Sequence, residues 1–203
     1  MKKIAILLLG MSACLAAASA IAEREEIPPT ELPRAIANCE SCHGPKGDST
    51  APSVPRLNGQ QTTYIAAQLQ KFRDPTWADP HAINAMWNIA THTGDAMVAE
   101  LANYFARQAP TAARASNPAL AAEGAKLFAQ GAPAQNIPAC ISCHGAHGEG
   151  ATGPRLAGQH GAYLTHAMEV LQLALRESDT MHPRLNNIEQ SQIEALAAYL
   201  AND

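Results

Sequence analysis

The chain of 203 residues carries the sequence Cys39-Glu40-Ser41-Cys42-His43-Gly44 and, much further on, Cys140-Ile141-Ser142-Cys143-His144-Gly145. Two thiols at i and i+3 on one helical turn point to the same side, so they can add across the two vinyl groups of one porphyrin. The histidine that follows is then carried beneath the iron by the same turn, and covalent attachment fixes one axial ligand at little further entropic cost. Two C-x-x-C-H motifs therefore predict two haem c groups, held through Cys39 and Cys42 and through Cys140 and Cys143, with His43 and His144 as axial iron ligands. Structural zinc would need pairs of such ligands to converge on one tetrahedral site. A thioredoxin-like dithiol would follow a strand in a βαβ pattern, and no such pattern is visible.

The motifs sit in two copies of one unit. After the first comes Pro55-Arg56-Leu57-Asn58-Gly59-Gln60 and then Tyr64; after the second comes Pro154-Arg155-Leu156-Ala157-Gly158-Gln159 and then Tyr163. Each half closes on a similar apolar stretch, Met97 to Phe105 in the first and Gln192 to Leu200 in the second. The residues before the second motif, from Asn117-Pro118 to Gly131, read as a helix with Asn at the N-cap, Pro at N1 and Gly at its end. The counterpart in the first half, Thr30 to Asn38, contains Pro33 and predicts a shorter, interrupted helix. A final helix is expected over roughly 188–200. No stretch alternates with period two, so the fold class is all-α, with strands rare. The expected boundaries are a leader at 1–22, a first domain at 23–108, a linker at 109–117 and a second domain at 118–203. Aromatic residues make up only 4% of the chain. Each haem is the missing apolar mass, and the haem-free chain is expected to be poorly folded.

Residues 1–22 have the form of a secretory signal: Lys2 and Lys3, an apolar run from Ile4, and Ala20-Ile21-Ala22 before Glu23. This predicts export to a bacterial periplasm, where c-type haem is attached. Cys14 lies inside that signal, and Ser12-Ala13-Cys14 leaves a lipid-anchored cysteine as the alternative to an ordinary apolar residue. The remaining four cysteines are used by haem, so no disulfide is expected despite an oxidising compartment. A formal net charge of -4, more negative once Lys2 and Lys3 are removed, argues against nucleic acid or an anionic membrane as partner.

Each iron needs a second axial partner or an open position. Beyond the leader the methionines are Met86, Met97, Met168 and Met181. Met86 precedes Tyr104 by 18 residues, and Met181 precedes Tyr199 by the same 18. This equivalence selects Met86 and Met181 as axial ligands, placed in irregular segments before the last helix of each domain. Met97 and Met168 fall at apolar helical positions and read as core fillers. His81, His92, His147, His160, His166 and His182 have no counterpart in the opposite half and read as surface or internally satisfied side chains. Thioether ligation favours ferrous iron, raises the potential relative to bis-histidine ligation and closes the iron to substrates. Closed iron suits electron transfer and argues against peroxidase or oxygenase chemistry.

Around each iron, Pro55 and Pro154 are candidates to supply a carbonyl that orients the ligand histidine. Arg56 and Arg155 could neutralise haem propionates. Tyr64 and Tyr163 could offer a hydroxyl to a propionate or across a domain interface.

The doubled C-x-x-C-H-G, the Pro-Arg-Leu-x-Gly-Gln stretches followed by Tyr64 and Tyr163, the Ile137-Pro138-Ala139-Cys140 lead-in and the closing Leu-Ala-x-Tyr helices resemble the cytochrome c4 family. The match is strongest over 118–203, while Trp77 to Asn88 departs from the family pattern. The resemblance implies two class I cytochrome c domains packed about a pseudo-twofold axis, with the propionate edges facing. It also implies a periplasmic electron shuttle between a quinol-oxidising cytochrome complex and a terminal oxidase. A dihaem subunit of a dehydrogenase such as flavocytochrome c sulfide dehydrogenase is similar in size and layout and stands as the alternative. A dihaem peroxidase would need a longer chain and a vacant iron.

Overall fold

The structure, a computed structural model, describes residues 29–74, 78–115, 117–176 and 178–201. The expected leader and Cys14 lie outside the described residues. The elements are α1 (Leu32–His43), α2 (Thr62–Lys71), α3 (Pro80–Thr91), α4 (Asp95–Ala106), α5 (Pro118–Gln130), α6 (Ile141–His144), α7 (Gly161–Gln172), α8 (His182–Leu185) and α9 (Gln190–Leu200). The described residues form isolated β-bridges rather than strands, among them Ala132 with Ile137 and Gln159 with Ala201.

The helices form two similar units in tandem, each around its own core. In the first, Ala35, Ile65, Met97, Leu101, Ala102 and Phe105 cluster, with Leu32, Ile36 and Cys39 packed against them. Leu32, Ala35, Ile36 and Cys39 recur at helical spacing, so the face of α1 that enters the core also carries the first thiol. In the second, Phe128, Ile137, Leu164, Leu185, Ile193, Leu196 and Leu200 cluster, with Cys140, Met168 and Met181 against them.

The leading helices differ from expectation. Pro33 does not interrupt α1; it sits in the first turn, where no backbone N–H is needed. The helix runs on through the first motif to His43 and is nearly as long as α5. In the second unit the helix ends earlier. Asn117 caps α5, its side chain accepting from the Leu120 N–H at 3.2 Å, and Gly131 closes it with a positive φ. A short loop then leads to the second motif on α6. In the second unit the first and last helices cross tightly. At Gly124 an added Cβ would lie 1.9 Å from the carbonyl oxygen of Ala195, so only glycine lets α5 approach α9 this closely. The final helix begins at Gln190, held by a capping box between Glu189 and Gln192.

Candidate functional site

Each motif histidine is buried and hydrogen-bonded in the same way. His43 Nδ1 lies 2.8 Å from the carbonyl oxygen of Pro55, and His144 Nδ1 lies 2.9 Å from that of Pro154. A carbonyl can only accept, so Nδ1 carries the proton and Nε2 keeps its lone pair. Burial lowers the pKa of both imidazoles, with the proline carbonyls opposing the shift in part. Both rings are thus neutral at pH 7, with one nitrogen fixed and the other available to a metal. Gly153 leaves room for the ring of His144: a Cβ there would lie 2.9 Å from Cε1 and 3.0 Å from Nδ1.

The thiols flank these rings. Cys39 and Cys140 are partly buried, and desolvation pushes both up to about 11. Cys42 is exposed and Cys143 half-buried, and none of the four is in a disulfide. Among the described residues no group of three or more His, Cys, Asp or Glu could hold a bare metal ion. The arrangement fits a porphyrin joined through two thiols over a neutral imidazole, which brings its own equatorial nitrogens. A covalently held haem supplies a one-electron couple at such a site.

The candidate methionines are not placed alike. Met181 is the N-cap residue of the four-residue helix α8, packed against the same core as Cys140. Met86, expected in an irregular segment, lies inside α3. The reason is an apolar repeat that the spacing argument overlooked: Ala82, Met86 and Ala90 fall at i, i+4 and i+8, and Ala82 and Ala90 are buried. Met86 is half-buried on that face, whereas Trp87 and Ile89 beside it are exposed. Met97 is 1% exposed within the first core, and Met168 packs on the second, both as fillers.

The described histidines outside the motifs find partners within the protein or lie at the surface. His160 Nε2 is 2.9 Å from the Ser49 carbonyl, His182 Nδ1 is 3.0 Å from that of Leu171, and His92 Nδ1 is 2.7 Å from that of Asn88. His147 is exposed, and the side chain of His81 lies outside the described set.

Arg56 and Arg155 point into the seam between the units. Arg56 donates from Nε to Asp48 at 3.1 Å and from a terminal nitrogen to the Gly158 carbonyl at 2.8 Å; Arg155 donates to the Thr111 carbonyl at 3.3 Å. Tyr64 and Tyr163 are half-buried; burial and the neighbouring Tyr163 raise the Tyr64 pKa, and Arg176 lies over the Tyr163 ring.

Two sets of interface residues have no assigned role in the sequence reading. Gln159 brackets the backbone of Arg56, accepting from its N–H at 2.8 Å and donating to its carbonyl at 3.0 Å. Gln60 brackets Arg155 in the same manner, at 2.9 and 2.8 Å. This reciprocity is what a pseudo-twofold relation between the units requires. The recurrence of Gln in both Pro-Arg-Leu-x-Gly-Gln stretches was the available signal. The other set is Asp79, fully buried before α3, which accepts from His166 at 3.0 Å and from Arg176 at 2.7 Å. None of these three recurs in the opposite half, so the repeat could not reveal them.

Comparison with known proteins agrees with this geometry. The family model for Cytochrome c matches twice, over residues 34–109 and 121–202. Cytochrome c4 of Thiocapsa roseopersicina is 37% identical over 169 residues, spanning 80% of this chain and 85% of that protein. A thiosulfate dehydrogenase electron acceptor of Thiomonas intermedia is 36% identical over 177 residues, spanning 83% of this chain and 80% of that one. The solved structure of Acidithiobacillus ferrooxidans cytochrome c4 superposes with a TM-score of 0.76 at 37% identity, covering 81% of this chain and 98% of the other. The chain therefore belongs to the cytochrome c family, as a dihaem electron-transfer protein of the cytochrome c4 type with one covalent haem c in each domain.

Proposed function

We propose that this protein is a periplasmic electron carrier with two closed haem sites, one electron at each. In this reading Cys39 and Cys42 attach the first haem, and Cys140 and Cys143 the second. His43 and Met86 would hold one iron, and His144 and Met181 the other. The observation that carries the reading is the matched pair of buried, neutral imidazoles fixed by the carbonyls of Pro55 and Pro154. Holding Nδ1 in this way sets the ring plane and raises the basicity of Nε2. Tyr64, Tyr163, Arg56 and Arg155 line the seam where propionate edges would meet, and each would act there through its hydrogen-bond donors.

The domains take the bounds 23–108 and 118–203, with 109–117 as linker, after export by the signal at 1–22. Among the described residues no helix is long and apolar enough to cross a membrane. Partners on this reading are a quinol-oxidising cytochrome complex as donor and a terminal oxidase as acceptor.

Spectral potentiometry of the purified dihaem protein tests the ligand set. Met181→Ala is expected to abolish the sulfur-to-iron absorption band and lower the potential of the second-domain haem alone, and Met86→Ala to do so for the first. A variant that keeps both band and potential rejects that methionine.

The likeness to a thiosulfate dehydrogenase electron acceptor favours a second reading, in which the donor is a dehydrogenase. Stopped-flow reduction by a thiosulfate dehydrogenase, compared with reduction by a quinol-oxidising complex, separates the two.

A further inference from the structure

The carbonyl of Pro55 and the N–H of Arg56 belong to one planar peptide unit. On one side that unit accepts from His43 Nδ1 at 2.8 Å, and on the other it donates to Gln159 Oε1 at 2.8 Å. The second site repeats the arrangement. The Pro154–Arg155 peptide accepts from His144 Nδ1 at 2.9 Å and donates to Gln60 Oε1 at 2.9 Å. Each motif histidine is therefore one peptide away from a glutamine of the opposite domain. Both glutamines are buried, and each is steadied by the next backbone N–H, Gln61 to Gln60 at 2.9 Å and His160 to Gln159 at 3.0 Å. The Nε2 donors, to the carbonyls of Arg56 and Arg155, fix which end of each amide faces the peptide N–H.

We propose that Gln159 and Gln60 are positioning residues that let the docking of one domain set the reduction potential of the other domain's haem. The inference rests on His43 and His144 being the iron ligands. An amide whose N–H is engaged becomes a better acceptor at its carbonyl, because hydrogen bonds in a chain polarise one another. A stronger acceptor at Nδ1–H places more electron density on the imidazole and stabilises ferric iron. Docking thus lowers each potential, and the control is crossed: Gln159 acts on the haem of Cys39 and Cys42, Gln60 on that of Cys140 and Cys143. A redox partner that loosened the seam would raise both potentials together.

The test uses the complete dihaem protein with three variants, Gln159→Leu, Gln159→Glu and Gln60→Leu. The two potentials are read by spectroelectrochemistry with the haems assigned by NMR, and the Nδ1–H resonances of His43 and His144 are followed in parallel. Gln159→Leu is expected to favour reduction of the first-domain haem by about threefold to tenfold, the scale of a weakened hydrogen bond. It should move the His43 proton and leave the second-domain haem nearly unchanged. Gln60→Leu should give the mirror result. Gln159→Glu keeps the acceptor and should hold the first-domain potential at or below its original value. Variants that shift only the haem of their own domain, shift both equally, or shift neither overturn the proposal. A wild-type protein whose His43 Nδ1–H shows no paramagnetic shift when oxidised would instead reject His43 as ligand, a failure distinct from that of the relay.

Discussion

Asp79 of the first domain and Arg176 of the second meet at 2.7 Å, with the carboxylate wholly removed from solvent. His166 holds the other carboxylate oxygen at 3.0 Å. Removing one member of a buried pair leaves an uncompensated charge and costs about 3–5 kcal/mol. Asp79→Ala is accordingly expected to destabilise the dihaem protein by that order in urea unfolding. Replacing the pair together with apolar residues, as in Asp79→Leu with Arg176→Met, should recover most of the loss.

The same contact predicts an acid limit to docking. Burial pushes the Asp79 carboxyl up, but hydrogen bonds and charge from His166 and Arg176 outweigh it, and its pKa lies below the ordinary value. A carboxylate with a depressed folded-state pKa stabilises above its unfolded pKa, about 3.9, and loses that contribution as pH falls through the folded value. The Asp79 contribution should therefore stay constant from neutrality to about pH 5 and vanish only below about pH 4. Small-angle scattering from wild type and Asp79→Asn across that range checks it: the wild type should approach the variant's dimensions only at the acid end.

Gly124 predicts a packing defect of a different kind. A methyl there would meet the Ala195 carbonyl at 1.9 Å and force α5 away from α9. Gly124→Ala gains helix propensity of up to about 1 kcal/mol but incurs an overpacking cost of about 1–3 kcal/mol or more. Net destabilisation is expected, visible as a lower melting temperature, with the second-domain haem band changing first.

Much of this architecture was legible because the chain states it twice. Comparing Pro55 with Pro154 singled out the carbonyls that His43 and His144 reach, whereas Gln60 and Gln159 recur in the same stretches but showed their part only across the seam. Duplication misled where the copies diverged. Equal spacing to Tyr104 and Tyr199 made Met86 and Met181 look interchangeable, yet Ala82, Met86 and Ala90 share a helical face that has no match around Met181. Pro33 looked like a helix breaker because its position in the first turn depends on where α1 starts, which composition alone does not fix. Asp79, His166 and Arg176 come together only through the docking of two domains, and single residues without a repeat carry no such signal.

Gly153 gives the most local check on the site. Its α-carbon faces the ring of His144, and a Cβ would lie 2.9 Å from Cε1. Its carbonyl also accepts from Gln61 of the first domain at 2.9 Å, so the backbone cannot retreat without breaking a cross-domain hydrogen bond. The ring must tilt instead, which lengthens the 2.9 Å contact from Nδ1 to the Pro154 carbonyl. A weaker acceptor at Nδ1 leaves the imidazole a poorer donor to iron. Gly153→Ala should therefore raise the potential of the second-domain haem and perturb its absorption, while the first-domain haem keeps both. Spectroelectrochemistry resolving the two haems makes the comparison within one sample. An unchanged second haem would mean that the ring of His144 has slack at this contact.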